Sequence, residues 1–349
     1  MVSGFVIIAL SVILLMVLLL PFLIHKVEEN LEIFLFFMGL LSLVVTNSLH
    51  MDIIKEGLHE PVKISLAVFF AGLIFKYTHK YLKDLVMFSL RRIPFGLFIF
   101  LVVVLLGLLS SIITAIIASL VLVEIINILR MDRKHELFYV VIACLSIGIG
   151  AALTPIGEPL STIAISKLKT WPQVDFFYLV RLLGPFIIPL VLLSGIIAGF
   201  YKGHKAEDTL SESEEEERKV ESIKEILFRT FKVYLFVMAL VFLGYGFKPI
   251  IDNYVLKLSP LALYWVNMIS AIVDNATLTA AEISTSMSEA QVRDLLLGLL
   301  LSGVMLIPGN IPNIICASKL KIKSREWAKI GIPLGLILLL GVFVILLFV

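Results

Sequence analysis

The sequence predicts an all-α polytopic membrane protein whose two halves form an inverted repeat, and three observations predict it. The 349-residue chain is 60% hydrophobic and only 16% charged, with a mean hydropathy of +1.05; soluble domains carry about a quarter charged residues. Apolar runs near or above ~18 residues recur along the whole chain, which is the length needed to cross a hydrocarbon core. Proline-, glycine- and carboxylate-bearing interruptions fall inside those runs in the same order in both halves.

In chain order, residues 4–24 and 31–48 are two spans joined by a short polar turn. The first is too long for a signal-peptide core and has no small-residue cleavage site, so it is expected to be retained. Residues 61–77 form a third span. In "HKYLKDLVMFSLRRIP" (79–94), Lys80, Lys83, Arg91 and Arg92 alternate with apolar positions at helical spacing, which predicts a helix lying in the membrane interface. An apolar block covers 95–129 and is interrupted by "SSIIT" at 110–114. After the basic turn "RMDRK", residues 137–168 form an apolar segment interrupted by "LTPIGEPLSTIAISKLK" (153–169), and 176–200 is a further span. Residues 201–226 turn polar and acidic, as a solvated cytoplasmic loop does. Segments 226–247, 258–283 with "SAIVDNATLTAAE", 292–320 with "IPGNIPN", and 330–349 complete the chain. The expected organisation is scaffold spans over 1–60, a first repeat over 61–200, the loop, and a second repeat over 227–349.

Lys and Arg collect in 76–92, 130–134 and 319–329. The positive-inside rule brings all three to the cytoplasmic side if both termini lie outside and 95–129 enters and leaves by one face. A multi-pass protein of the plasma membrane is the expected localisation. The net charge of +2 and the lack of a basic domain outside the spans give no basis for a nucleic-acid partner. Cys144 and Cys316 sit in apolar segments and read as small core residues.

The repeat aligns "SSIITAI" (110–116) with "SAIVDNA" (270–276). It aligns residues 153–169 with "LIPGNIPNIICASKLK" (306–321), matching Pro155/Pro159 to Pro308/Pro312 and ending on Ser-Lys-Leu-Lys with a one-residue gap. In hydrocarbon every backbone polar group needs a partner, and each proline removes a donor and frees a carbonyl. Paired breaks therefore predict a site near the midplane. Around them lie hard oxygen ligands for a monovalent cation such as Na⁺ or Li⁺. The first half offers Ser110, Ser111, Thr114, Thr154, Ser161 and Thr162; the second offers Asn275, Thr277, Thr279, Asn310 and Asn313. Four carboxylates stand in apolar surroundings, where such groups are functional by default. Asp274 and Glu158 are the expected ion- or proton-coupling residues, with Asp274 and Asn275 as the Na⁺ ligands. Glu124 and Glu282 are further candidates, or simple solvated or hydrogen-bonded groups near the interface. The bland reading of Glu158 is a cap for a half-helix restarting at Leu160. A carboxylate exchanging a proton for a cation suffices for antiport, and no organic cofactor is called for.

These motifs resemble the ion transporter superfamily of arsenite, citrate, dicarboxylate and NhaD-type sodium/proton transporters. "TPIGEP" is similar to the S/T-P-I-G-D segment of the NhaD-type antiporters, with Glu158 at the acidic position. "SAIVDNATLTAA" is similar to their S-x-x-x-D-N-x-T segment, giving Asp274, Asn275 and Thr277. The chain looks like a divergent branch of cation transporters. The resemblance implies a scaffold and a transport subdomain, the latter with two opposed re-entrant hairpins, at about 95–129 and 258–284, and two broken helices. It also implies a homodimer and an elevator-type motion. The expected function is cation/proton antiport. The competing reading is an ion-coupled transporter of a small anion or carboxylate. An enzyme is disfavoured because no HExxH or protease-like pattern is present.

Overall fold

A computed structural model describes residues 4–24, 26–27, 30–201, 223–254, 258–272, 275–283, 285 and 287–348. These residues form helices α1 (Gly4–Leu23), α2 (Leu31–Val45), α3 (Met51–Leu90), α4 (Phe95–Ile113), α5 (Ala115–Leu129), α6 (Arg133–Ala151), α7 (Pro159–Leu168) and α8 (Tyr178–Phe200). They continue as α9 (Ile223–Tyr254), α10 (Pro260–Val266), α11 (Asn275–Glu282), α12 (Glu289–Ser302), α13 (Ile311–Leu320) and α14 (Ser324–Leu346). Short 3₁₀ turns cover Asn267–Ala271 and Ile307–Gly309, and no strand occurs among the described residues. Among the described residues six helices are long and apolar enough to cross a membrane: α1, α4, α6, α8, α9 and α14. Apolar side chains such as Phe5, Phe37, Phe200 and Ile337 stand exposed on them and on α2, as lipid-facing residues do. The chain is an integral multi-pass membrane protein.

One expected boundary is corrected. The separate span at 61–77 and the interfacial helix at 79–94 are one helix, α3, of 40 residues. Nothing between 78 and 90 breaks a helix, and Pro94 caps the next one. Pro61 lies inside α3. Ahead of it, exposed Asp52, Lys55, Glu56, His59 and Glu60 keep helical spacing around buried Gly57. That glycine lets α3 approach the Phe242 ring on α9, where an added methyl would come within 2.2 Å. Helix α9 also packs along α2, and there Gly39 faces the Ala239 carbonyl and Gly246 faces Ser42. Small residues at a crossing let backbones approach, which is how membrane helices associate.

Helices α4, α6 and α8 pack on one another, as α10, α12 and α14 do through α12. The two sets join crosswise: α5 lies on α13, and α7 lies on α11. The turns divide between two faces. On one, Arg133 at the start of α6 binds the Leu320 and Lys321 carbonyls and, at 2.7 Å, Glu326 of α14. Tyr139 of α6 donates to the Tyr201 carbonyl just past α8, and Phe138 stacks on the Tyr201 ring. On the other face, the Trp171 indole donates to the Thr285 carbonyl, and Asp175 forms an ion pair with Arg181 that holds its carboxyl below the usual range. Helices α5 and α13 both end on the first face in left-handed caps, Arg130 (φ 49) and Lys321 (φ 52), a frequent way to close a helix. The acidic loop, apart from Tyr201 and the first turn of α9 at 223–226, lies outside the described residues.

Candidate functional site

The prolines place the breaks. Pro155 has no N–H for the Ala151 carbonyl, so α6 ends at Ala151. Pro159 likewise frees the Pro155 carbonyl, and the Thr162 hydroxyl donates to it. In the second half Pro308 frees the Val304 carbonyl, which the buried Trp327 indole reaches from α14 at 2.9 Å. Trp327→Phe keeps an aromatic ring but removes part of the buried indole's volume and its N–H, leaving that carbonyl without its partner. It is expected to cost about 1–3 kcal/mol, read as a lower thermal midpoint in detergent.

The two restarts share one geometry. Glu158 precedes α7 with φ −155 and ψ 162, and Asn310 precedes α13 with φ −156 and ψ 164. Gly157 abuts the Ala151 carbonyl as Gly309 abuts that of Gly303. One constant offset matches these pairs and carries Ser166-Lys167-Leu168-Lys169 onto Ser318-Lys319-Leu320-Lys321. The gapped alignment on the prolines is therefore replaced by an ungapped one, with Glu158 opposite Asn310 and Ser161 opposite Asn313. The capping reading of Glu158 also falls. The helix restarts at Pro159, and the buried carboxylate makes no cap bond. Asn310 does cap, accepting from the Asn313 amide at 3.1 Å.

The breaks and hairpin tips come together. At the α4–α5 tip Thr114 is held at φ 77, a strained conformation for a β-branched residue and a frequent mark of a functional turn. Its hydroxyl accepts from Ile117, and the next amide, Ala115, donates to the Gly157 carbonyl at 2.9 Å. Across the molecule, a methyl added at Gly303 would lie 2.9 Å from the Asn275 amide nitrogen, and one at Gly148 would lie 2.7 Å from that of Asn310. The structure thus gathers Thr114, Thr154, Glu158, Asn275, Asn310 and Asn313 around the ends of α6 and α12. Cys144 and Cys316 are buried free thiols on the α6–α13 contact.

The two halves use their polar groups differently. In the first, Ser110 donates to the Gly107 and Ile147 carbonyls, Ser111 to Leu108, and Thr154 to Ser111. These hydroxyls stitch backbone, whereas the buried Ser161 hydroxyl, like those of Ser65 and Tyr178 away from the break, has no partner among the described residues. In the second half Asn313 donates to the Gly303 and Leu306 carbonyls at 2.8 and 2.9 Å while its own Oδ1 stays unpartnered among the described residues. Both amide atoms of buried Asn275 are unpartnered as well, and Thr279 donates to the Asn275 carbonyl. Thr277 falls on α11; Asp274 lies outside the described residues.

The outlying carboxylates are not solvated groups. Glu124 on α5 faces the buried Lys319 of α13 at 3.9 Å. Glu282 is 1% exposed, and neither carboxylate oxygen has a hydrogen-bond partner among the described residues. Beside it stands Asn267, fully buried with an unpartnered Oδ1. Sequence reasoning missed Asn267; the signal was a single amide inside the apolar run "LYWVNMIS". No group of three His, Cys, Asp or Glu capable of holding a metal occurs among the described residues.

A cavity of about 460 Å³ lies between α2 and α9 on one side and α13 and α14 on the other. It reaches Ile307 at the second break, and its wall carries the Glu32–Lys232 ion pair (2.7 Å) with Lys321 and Lys323. Residues 7–349 match the family described as Protein of unknown function (DUF1646), and the chain belongs to that family. No curated protein matches the chain.

Proposed function

We propose that this member of the DUF1646 family is a secondary active transporter, a monovalent cation/proton antiporter working at the paired helix breaks. The observation that carries the reading is the pair of buried acceptors without a partner among the described residues, Asn275 Oδ1 and Asn313 Oδ1, beside the Gly303 break. Burying polar atoms unpaired costs free energy, and a desolvated cation recovers it by accepting their lone pairs in place of water. Hard oxygen donors suit Na⁺ or Li⁺. Asp274, next to Asn275, supplies the countercharge in this reading. Glu158, buried where α7 restarts, is the second group able to take a proton.

An inverted repeat is part of the proposal. The matched φ/ψ at Glu158 and Asn310 and the crosswise packing of α5 on α13 and α7 on α11 support it. So does the placement of both ends of the α4–α5 hairpin on the Arg133 face, since Phe95 meets Tyr139 and Arg130 precedes the Arg133 turn. We read that hairpin and α10–α11 as re-entrant from opposite faces, with the Arg133 face cytoplasmic.

Proteoliposomes with an acid interior should lose their ΔpH on addition of Na⁺ or Li⁺, and Asp274→Asn should abolish the response while the protein stays monodisperse. The lysine-lined cavity favours a second reading, transport of a small anion. Uptake of a labelled anion without any cation-dependent proton flux would replace the first reading by the second.

A further inference from the structure

From the cavity between α2/α9 and α13/α14 we infer a binding site for a small organic anion with an apolar body, its charged group on Lys321 and Lys323. Three features of the wall point there. The lining carries three ammonium groups, Lys232, Lys321 and Lys323, against one carboxylate, Glu32, and Lys232 already engages that carboxylate. The excess positive charge selects an anion. The exposed lysines adjoin the Ser318 and Ser324 hydroxyls, while buried Phe236, Ile307 and Ile314 supply an apolar wall. A bare inorganic ion would leave that wall uncovered, whereas an aromatic or short aliphatic carboxylate fills both parts. The volume, about 460 Å³, falls within the ~300–1,000 Å³ of small-molecule sites.

Position gives the site a consequence. Lys323 and Ser324 open α14, whose first-turn carboxylate, Glu326, already accepts the Lys323 amide, so the anion's charge is met by the lysine side chains. Ile307 begins the 3₁₀ turn of the second break. An occupant would therefore touch both the α2–α9 pair and Ile307 of the second break, and would couple anion concentration to the arrangement of that break. Binding rests on the cavity alone and holds whichever ion crosses at the breaks.

Benzoate is the probe, and its neutral isostere benzamide the control. Isothermal titration of the purified full-length protein in detergent at low salt should give saturable benzoate binding. Benzamide should bind at least about tenfold more weakly, and Lys321→Gln or Lys323→Gln should each weaken benzoate about tenfold, the loss expected for one charged hydrogen bond. Lys321→Arg should keep the affinity. Both lysines are exposed, so the variants should elute as the wild type does. Absence of saturable binding, equal binding of benzamide, or unchanged affinity in both glutamine variants would overturn the site. So would saturation by anionic lipid vesicles alone. Cation-driven proton flux reads the breaks instead, so its loss or survival leaves this result standing.

Discussion

Asn313→Ala should abolish cation-dependent proton flux and destabilise the protein by about 2–4 kcal/mol. The stability term comes from two carbonyls. Asn313 Nδ2 donates to Gly303 and to Leu306, the last carbonyls before the second break closes. Alanine removes both donors at a residue that is fully buried. The functional term comes from Oδ1, which accepts no hydrogen bond among the described residues and is the atom offered to a cation. The two terms separate at Asn275. Its side-chain amide has no partner among the described residues, so Asn275→Ala should change the thermal midpoint little and yet remove the flux. Flux retained in Asn275→Ala would sink the cation site, because a purely structural second half predicts the reverse order of effects.

Much of this architecture was legible because membranes constrain it severely. The apolar runs marked most helices, although α3 and α9 run well past the expected 61–77 and 226–247, and Pro155, Pro159, Pro308 and Pro312 marked both breaks. The register between the breaks was not legible. Proline serves equally at either of the first two positions of a restarted helix, where no N–H is needed. Pro159 takes the first position and Pro312 the second, so matching prolines shifts the halves by one residue, and only the backbone at Glu158 and Asn310 reveals it. The continuity of α3 was hidden for another reason. Basic residues at helical spacing mark a helix but not the angle at which it leaves the membrane.

The roles of the hydroxyls were also out of reach of sequence. A serine in a break can ligate an ion or satisfy a carbonyl, and the choice depends on which carbonyl lies within 3 Å. Ser110, Ser111, Thr154 and Thr162 all found carbonyls. Among the described break residues the unmatched acceptors are Ser161 in the first half and the amide oxygens of Asn275 and Asn313 in the second, so the candidate site is weighted to the second half although the backbones of the breaks are alike. That asymmetry was half visible, since Asn310 stands where the first half has an acid.

Gly157→Ala and Gly309→Ala should each cost about 3 kcal/mol or more, near the upper end for overpacking. A methyl at Gly157 would lie 2.0 Å from the Ala151 carbonyl oxygen, and one at Gly309 would lie 2.2 Å from that of Gly303. The obstacle in both is backbone at the end of a packed helix, which cannot rotate aside as a side chain can. Relief requires widening the break, which pulls Ala115 from the Gly157 carbonyl in the first half and strains the Asn313 bonds in the second. Gly341 on α14 is the control. Nothing lies within 4 Å of a methyl there, so Gly341→Ala should be neutral or stabilise by up to about 1 kcal/mol through helix propensity. Thermal midpoints in detergent should rank Gly341→Ala at or above wild type and the two break variants together well below it. A break variant as stable as the control would mean that the helix ends are loosely held. Asn275 and Asn313 would then have no fixed frame on which to present their oxygens to an ion.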